Sequence, residues 1–155
     1  MQEKERTYWG KRGSGVLVQA EDTCRFLVSQ RSAMVNEPYT IGTIGGRLEG
    51  DEPEKTGVVR EFEEETAIKL DSPLSELTVF ESPDKNFHYT TFITTIPKQI
   101  EITRKNWEND AFLWFSLKEL NALPNKHFGL EYVLEHAVKE LNKVSTECKK
   151  QHSKK

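Results

Sequence analysis

A chain of 155 residues, 35% hydrophobic and 30% charged with a net charge of −3, has the length of one domain and the surface of a globular protein in water. The slight acidic balance excludes a broad electrostatic surface for membranes or long nucleic acid and leaves room only for a local basic pocket. No apolar run approaches the ~20 residues of a membrane span, and the first residues lack a signal-like apolar region, so a cytoplasmic protein is expected.

Residues 1–12 are charged, with Tyr8 and Trp9 as candidate docking aromatics. Residues 16–18 and 24–28 read as two strands around the turn-like Glu21, Asp22 and Thr23, which predicts a hairpin. Two cysteines make no disulfide framework: Cys24 lies in an apolar run and is expected to be a small buried hydrophobe, and Cys148 lies in polar sequence. A reducing compartment fits that usage. Residues 32–38 read as a loop, and 39–44 are β-like and lead to the pair Gly45 and Gly46.

The segment 45–68 is the most informative of the chain. Pro53 stands where a helix would start, a position that tolerates its missing N–H. Residues 54–66 are good helix formers apart from Gly57 and two valines. At 3.6 residues per turn Glu61, Glu64 and Glu65 fall at i, i+3 and i+4 and share one face. Val59 and Phe62, with Thr66 beside them, form an adjoining face for a core. Gly57 leaves room on the acidic face one turn before Glu61. Like charges at this spacing repel unless a hard divalent cation sits between them, and Arg60 can reach Glu64 at i+4.

Downstream, 77–80 and 87–96 read as strands, the second rich in aromatic and β-branched residues. A long polar connection, 97–110, leads to a short buried strand at 111–115. Ser116 is placed to cap a helical turn at 117–120. Leu130, Val133, Leu134, Ala137, Val138 and Leu141 recur at helical spacing and predict one amphipathic helix. Residues 1–145 are thus expected to form a single domain, and 146–155 a polar, basic, frayed tail. Strands mixed with helices that cover both sheet faces make this an α/β chain.

The spacing of Gly46, Glu52, Arg60, Glu61, Phe62, Glu64, Glu65 and Ile68 resembles the Nudix box, G-x5-E-x7-R-E-U-x-E-E-x-G-U with U bulky and apolar. Every fixed position matches except the last glycine, which is Ala67 here, a change that disfavours a left-handed helix cap. The proline and aromatic that often precede the glycine pair look like Ile44 and Ile41. The resemblance implies an α/β/α sandwich with a mixed β-sheet and a hydrolase that cleaves a nucleoside diphosphate linked to a group X. It implies Mg²⁺ or Mn²⁺ on Glu61, Glu64 and Glu65, with the Gly45 carbonyl as a further ligand. Glu52 matches the box glutamate that assists water or a second metal.

The same resemblance implies a base outside the box. Glu108, before the strand that carries Trp114, is the candidate, with Asp110 as its competitor. Arg31, Gly46, Lys126 and His127 are candidates for contact with substrate, and His88 reads as a packed or surface histidine. Tyr39, Phe80, Phe87 and Tyr89 are aromatics able to stack on a base, most of them expected in the core. The nucleotide is open among nucleoside triphosphates, ADP-ribose, dinucleoside polyphosphates and a capped or triphosphorylated RNA 5′ end, and a homodimer stays open. The alternative function is a catalytically weak nucleotide-sensing module. An isoprenoid diphosphate isomerase, which needs a reactive cysteine, fits Cys24 poorly.

Overall fold

Alternation in three strands decides the architecture. In β1 (Arg12–Ala20), Val16 and Val18 point to one side and Leu17 to the other, all fully buried. In β2 (Phe26–Arg31), Leu27 joins the first side, Phe26 and Val28 the second. The same split recurs in β6 (His88–Ile96), where Phe92 and Ile96 face one way and Ile93 the other. A strand with apolar residues on both faces needs cover on both.

The computed structural model describes residues 12–35, 37–103 and 108–153; Tyr8 and Trp9 lie outside them, as do 104–107 of the polar connection. The remaining elements are β3 (Ile41–Gly42), β4 (Ile44–Arg47), α1 (Glu54–Thr66), β5 (Ser75–Glu81), β7 (Asn109–Phe115), α2 (Leu117–Ala122), α3 (Phe128–His136) and α4 (Val138–Ser153). The sheet runs β3-β2-β1-β6-β5, with β4 also on β1 and β7 on β2. It is mixed: β1 and β6 are parallel, and every other pair is antiparallel. After Val18↔Leu27 and Gln19↔Phe26 the first two strands part, and β4 takes up the Gly13–Val16 half of β1 while β3 takes up Ser29 and Gln30 of β2.

On one face α1 lays Val58 and Phe62 on Val16, Val18, Leu27 and Phe92. On the other, Leu120, Leu130, Val133, Leu134 and Leu141 from α2, α3 and α4 cover Leu17, Phe26, Val28 and Ile93. The α/β/α sandwich read from the sequence is therefore what the chain forms. Ser116 caps α2 in a capping box, its hydroxyl accepting from Glu119 N while the Glu119 carboxylate accepts from Ser116 N.

Several local expectations need correction. Val58 is the fully buried valine of α1, and Val59 is only partly buried. The β-like stretch before the glycines is two short strands, because β1 and β2 diverge there and each claims its own partner. The strand around Trp114 is half-buried, since β7 pairs with β2 alone. The expected C-terminal helix breaks at Ala137 (φ −119°, ψ 32°) into α3 and α4. The tail is not frayed as far as Ser153: Leu141, Ser145 and Cys148, at i, i+4 and i+7, keep one face of α4 buried. Cys24 and Cys148 are not two separate thiols but one disulfide, which ties α4 to the β1–β2 turn.

Candidate active site

α1 begins at Pro53 (φ −65°, ψ 148°), where no intrahelical N–H is lost, and covers the predicted residues. Gly57 is buried because its bare Cα faces Leu48; a Cβ there would meet Leu48 Cδ2 at 2.2 Å and Glu52 Oε1 at 2.9 Å. The helix ends on Ala67 in the left-handed region (φ 65°), with Ala67 N–H donating to Glu63 O at 2.8 Å. The left-handed cap that alanine disfavours is thus formed without glycine, and Thr66 Oγ1 supports the exit by accepting from Ile68 N at 3.1 Å.

Arg60 organises the exposed half of the acidic face. Its Nε and Nη2 donate to Glu52 Oε2 (2.9 Å) and Oε1 (3.0 Å), and Nη1 reaches Glu61 Oε1 at 3.1 Å and Glu64 Oε1 at 3.2 Å. Bidentate pairing with a planar guanidinium holds the Glu52 carboxyl down at about 2. Both Glu52 oxygens are taken, Oε1 also accepting from Glu49 N at 3.2 Å.

The inner half is drier. Glu65 is buried; its Oε1 accepts from Asn109 Nδ2 at 2.6 Å, and its Oε2 has no hydrogen-bond partner among the described residues. Burial, reinforced by the charges of Glu108 and Glu61, pushes the Glu65 carboxyl up to about 8 against the pull of Asn109 and Arg31. Burial also raises Glu61 and Glu108, with Arg60 and Arg31 respectively opposing it. A Cβ on Gly46 would meet the Glu61 carboxyl at 3.0 Å, so this glycine lets the acid lie over β4.

Arg31 reaches the group from β2. It is paired in register with Asn109, and Ser32 N donates to Glu108 O at 2.8 Å, so β7 carries Glu108 and Asn109 to the acids of α1. Burial lowers the Arg31 guanidinium, against the fields of Tyr89, Glu37, Glu108 and Glu65. Tyr89 lies beneath, its hydroxyl 3.0 Å from Thr43 Oγ1 and its titration pushed up to about 12 by burial.

Most sequence-selected residues thus converge: Gly46, Glu52, Glu61, Glu64, Glu65, Glu108 and Arg31. Gly45 is not a loop glycine; it pairs with Gly15 inside the sheet, where a Cβ would strike Ser14 O at 2.0 Å. Lys126 forms a bridge with Ile41 through its backbone. His127 is buried at the start of α3, Nε2 lying 3.3 Å from Glu37 Oε2, and its ring packs on Phe128. Asp110 is exposed, and His88 lies 3.6 Å from Glu81 at the surface end of β6. Phe80, Phe87 and Tyr89 pack with Phe128, whereas Tyr39 is exposed. Asn109 is the contributor that sequence reasoning missed. Nothing in a polar stretch marks it; only the β2–β7 register does.

A cluster of acids with an orphaned buried oxygen is chemically unfinished, and an all-oxygen donor set of this kind fits a hard divalent ion. The chain belongs to the Nudix family: residues 10–137 match the NUDIX domain. The MutT NUDIX hydrolase from Burkholderia pseudomallei has a similar structure (TM-score 0.63, 24% identity, covering 83% of this chain and 98% of that one). So does the Escherichia coli dihydroneopterin triphosphate pyrophosphohydrolase (0.66, 19%, 86% and 99%). The NUDIX domain of Shewanella oneidensis NrtR, solved with ADP ribose, is a third (0.66, 17%, 87% and 90%). At these identities the likeness is one of fold. No match is found among curated proteins.

Proposed function

We propose that this chain is a divalent-metal-dependent hydrolase that cleaves the diphosphate linkage of a nucleoside diphosphate joined to a group X. The observation that carries the reading is Glu65 Oε2, a buried oxygen without a partner among the described residues, set beside Glu61 and Glu108. In the proposal Glu61, Glu64 and Glu65 hold Mg²⁺ or Mn²⁺, the Gly45 carbonyl being the further ligand. The chemistry supplied with the ion is neutralisation of phosphate charge, acidification of a water and stabilisation of the leaving oxygen.

The chain's own groups do the rest. Asn109 fixes Glu65 through Oε1 and leaves Oε2 for the ion. Glu108, half-buried and raised, takes the proton of the attacking water. Arg31 receives a phosphate oxygen, and Gly46 keeps the floor open. Glu52 acts through Arg60 as a positioning residue, because both its oxygens are already bonded.

The substrate is a nucleoside triphosphate, ADP-ribose, a dinucleoside polyphosphate or an RNA 5′ end. Incubating the protein with Mg²⁺ or Mn²⁺ and each of these, then identifying the products, tests the proposal and names the phosphorus attacked. Metal-dependent release of phosphate, pyrophosphate or a nucleoside monophosphate is expected. Saturable binding with no turnover across the panel would replace the hydrolase with a nucleotide sensor.

A further inference from the structure

Cys24, Cys148 and His152 converge where the β1–β2 turn meets the last turns of α4, on the sheet face opposite α1. Their ligating atoms all lie within 4.8 Å of one another. Cys148 and His152 are at i and i+4 of α4 and share a face. Cys24, in the turn between β1 and β2, takes the left-handed region (φ 62°), held by Cys24 N–H to Ala20 O at 2.8 Å. The Glu21 carbonyl lies 3.5 Å from Cys148 Sγ and accepts from His152 Nε2. Both sulfurs belong to buried residues, while the imidazole is exposed and leaves a way in. The hydrolytic reading uses none of these groups.

Two thiolates and one imidazole form a nitrogen–sulfur donor set, which selects Zn²⁺ over the hard ions suited to the acids of α1. The Cys24 and Cys148 Cα atoms are 5.9 Å apart. Turning the two side chains at that spacing separates the sulfurs to the ~3.7 Å implied by tetrahedral Zn–S bonds of about 2.3 Å.

We infer that Cys24, Cys148 and His152 are a zinc site in the reduced protein, the disulfide being its oxidised, metal-free form. A dithiol reductant attacks the Cys24–Cys148 bond and leaves as its own cyclic disulfide, passing two electrons and two protons to give two thiols. Zn²⁺ then displaces both thiol protons to solvent, takes a neutral ring nitrogen of His152 in exchange for the Glu21 carbonyl, and keeps a water as fourth ligand. Either state fastens the end of α4 to the β1–β2 turn: one by a covalent bond, the other by an ion.

The test uses the full chain, reduced with a thiol-free phosphine, desalted without oxygen and titrated with Co²⁺ as the spectroscopic probe. Expected are a near-ultraviolet thiolate-to-cobalt charge-transfer band and the visible bands of a tetrahedral ion, saturating at one Co²⁺ per chain and bleached by Zn²⁺. The oxidised protein should show no such band. His152→Ala, an exposed change in the last turn of α4, should weaken Co²⁺ at least tenfold with the band retained. Absence of the charge-transfer band from reduced protein at saturating Co²⁺ overturns the site, and unaltered affinity and visible spectrum in His152→Ala overturn the role of the imidazole. Co²⁺ held by the carboxylates of α1 gives no sulfur band, so the outcome is independent of whether hydrolysis is found.

Discussion

Arg60 clasps Glu52 through two parallel bonds, Nε to Oε2 at 2.9 Å and Nη2 to Oε1 at 3.0 Å, and its remaining nitrogen spans Glu61 and Glu64. One guanidinium thereby sets the spacing of three carboxylates. Lysine keeps the charge but has no planar fork. Arg60→Lys is expected to lower kcat roughly tenfold or more, as loss of an outer partner of metal ligands does, and to shift the Mg²⁺ dependence to higher concentration. Steady-state rates over a Mg²⁺ titration check this; wild-type values would mean that the clasp only decorates the helix.

Glu65→Gln keeps the shape and removes the charge. Turnover should fall by orders of magnitude at saturating Mg²⁺, because an anionic ligand is lost. The metal-free variant should be at least as resistant to heat as the wild type above pH 8, since the wild type must there ionise a buried group raised to about 8. A near-normal rate, or a large loss of thermal stability, would refute the role assigned to this residue.

The same group makes stability depend on pH. In the metal-free fold Glu65 keeps its proton up to about 8, well above an unfolded carboxyl. Between those two values the native state binds more protons than the unfolded one, so this contribution to stability is complete at low pH and is lost as pH rises through about 8. Binding of Mg²⁺ requires the ionised form and follows the opposite course. Melting temperatures measured with and without Mg²⁺ should therefore diverge progressively from pH 6 to pH 8.5, and a constant gap would contradict the assignment.

Ala67 holds a left-handed conformation that costs a residue with a Cβ about 1 kcal/mol. Ala67→Gly should stabilise the protein by about 0.5–1 kcal/mol, the relief exceeding the added freedom of the unfolded chain. Urea unfolding monitored by circular dichroism measures it. A lower midpoint would show that the alanine methyl makes contacts worth more than the strain.

Helical periodicity put Glu61, Glu64 and Glu65 on one face before any coordinates, because those neighbours are set by the chain's own winding. The pairing of Arg60 with Glu64 is legible for the same reason. Its stronger bonds to Glu52 depend on how the loop before Pro53 folds back, which no fixed spacing encodes. Asn109 is further from reach, being brought to Glu65 by sheet register. The mixture of strand-like and helical segments gave the two-sided cover of the sheet, whereas β7 at an edge looks from its apolar residues like an interior strand. Cys148 reads as part of a charged tail because Lys149 and Lys150 follow it, yet helical winding places it in line with Leu141 and Ser145. The pairing of two cysteines 124 positions apart is a tertiary fact.

The parallel pairing of β1 with β6 and the antiparallel pairing of β2 with β7 also fix when the acidic site is complete during synthesis. A ribosome that has released only the box has made a helix of mutually repelling glutamates, with Glu108 and Asn109 still to be translated. The strand that seats Arg31 against them emerges in the final third of the message. A nascent or prematurely terminated chain therefore carries the signature motif without its dry interior, and the candidate site is complete only after the last strand has been made.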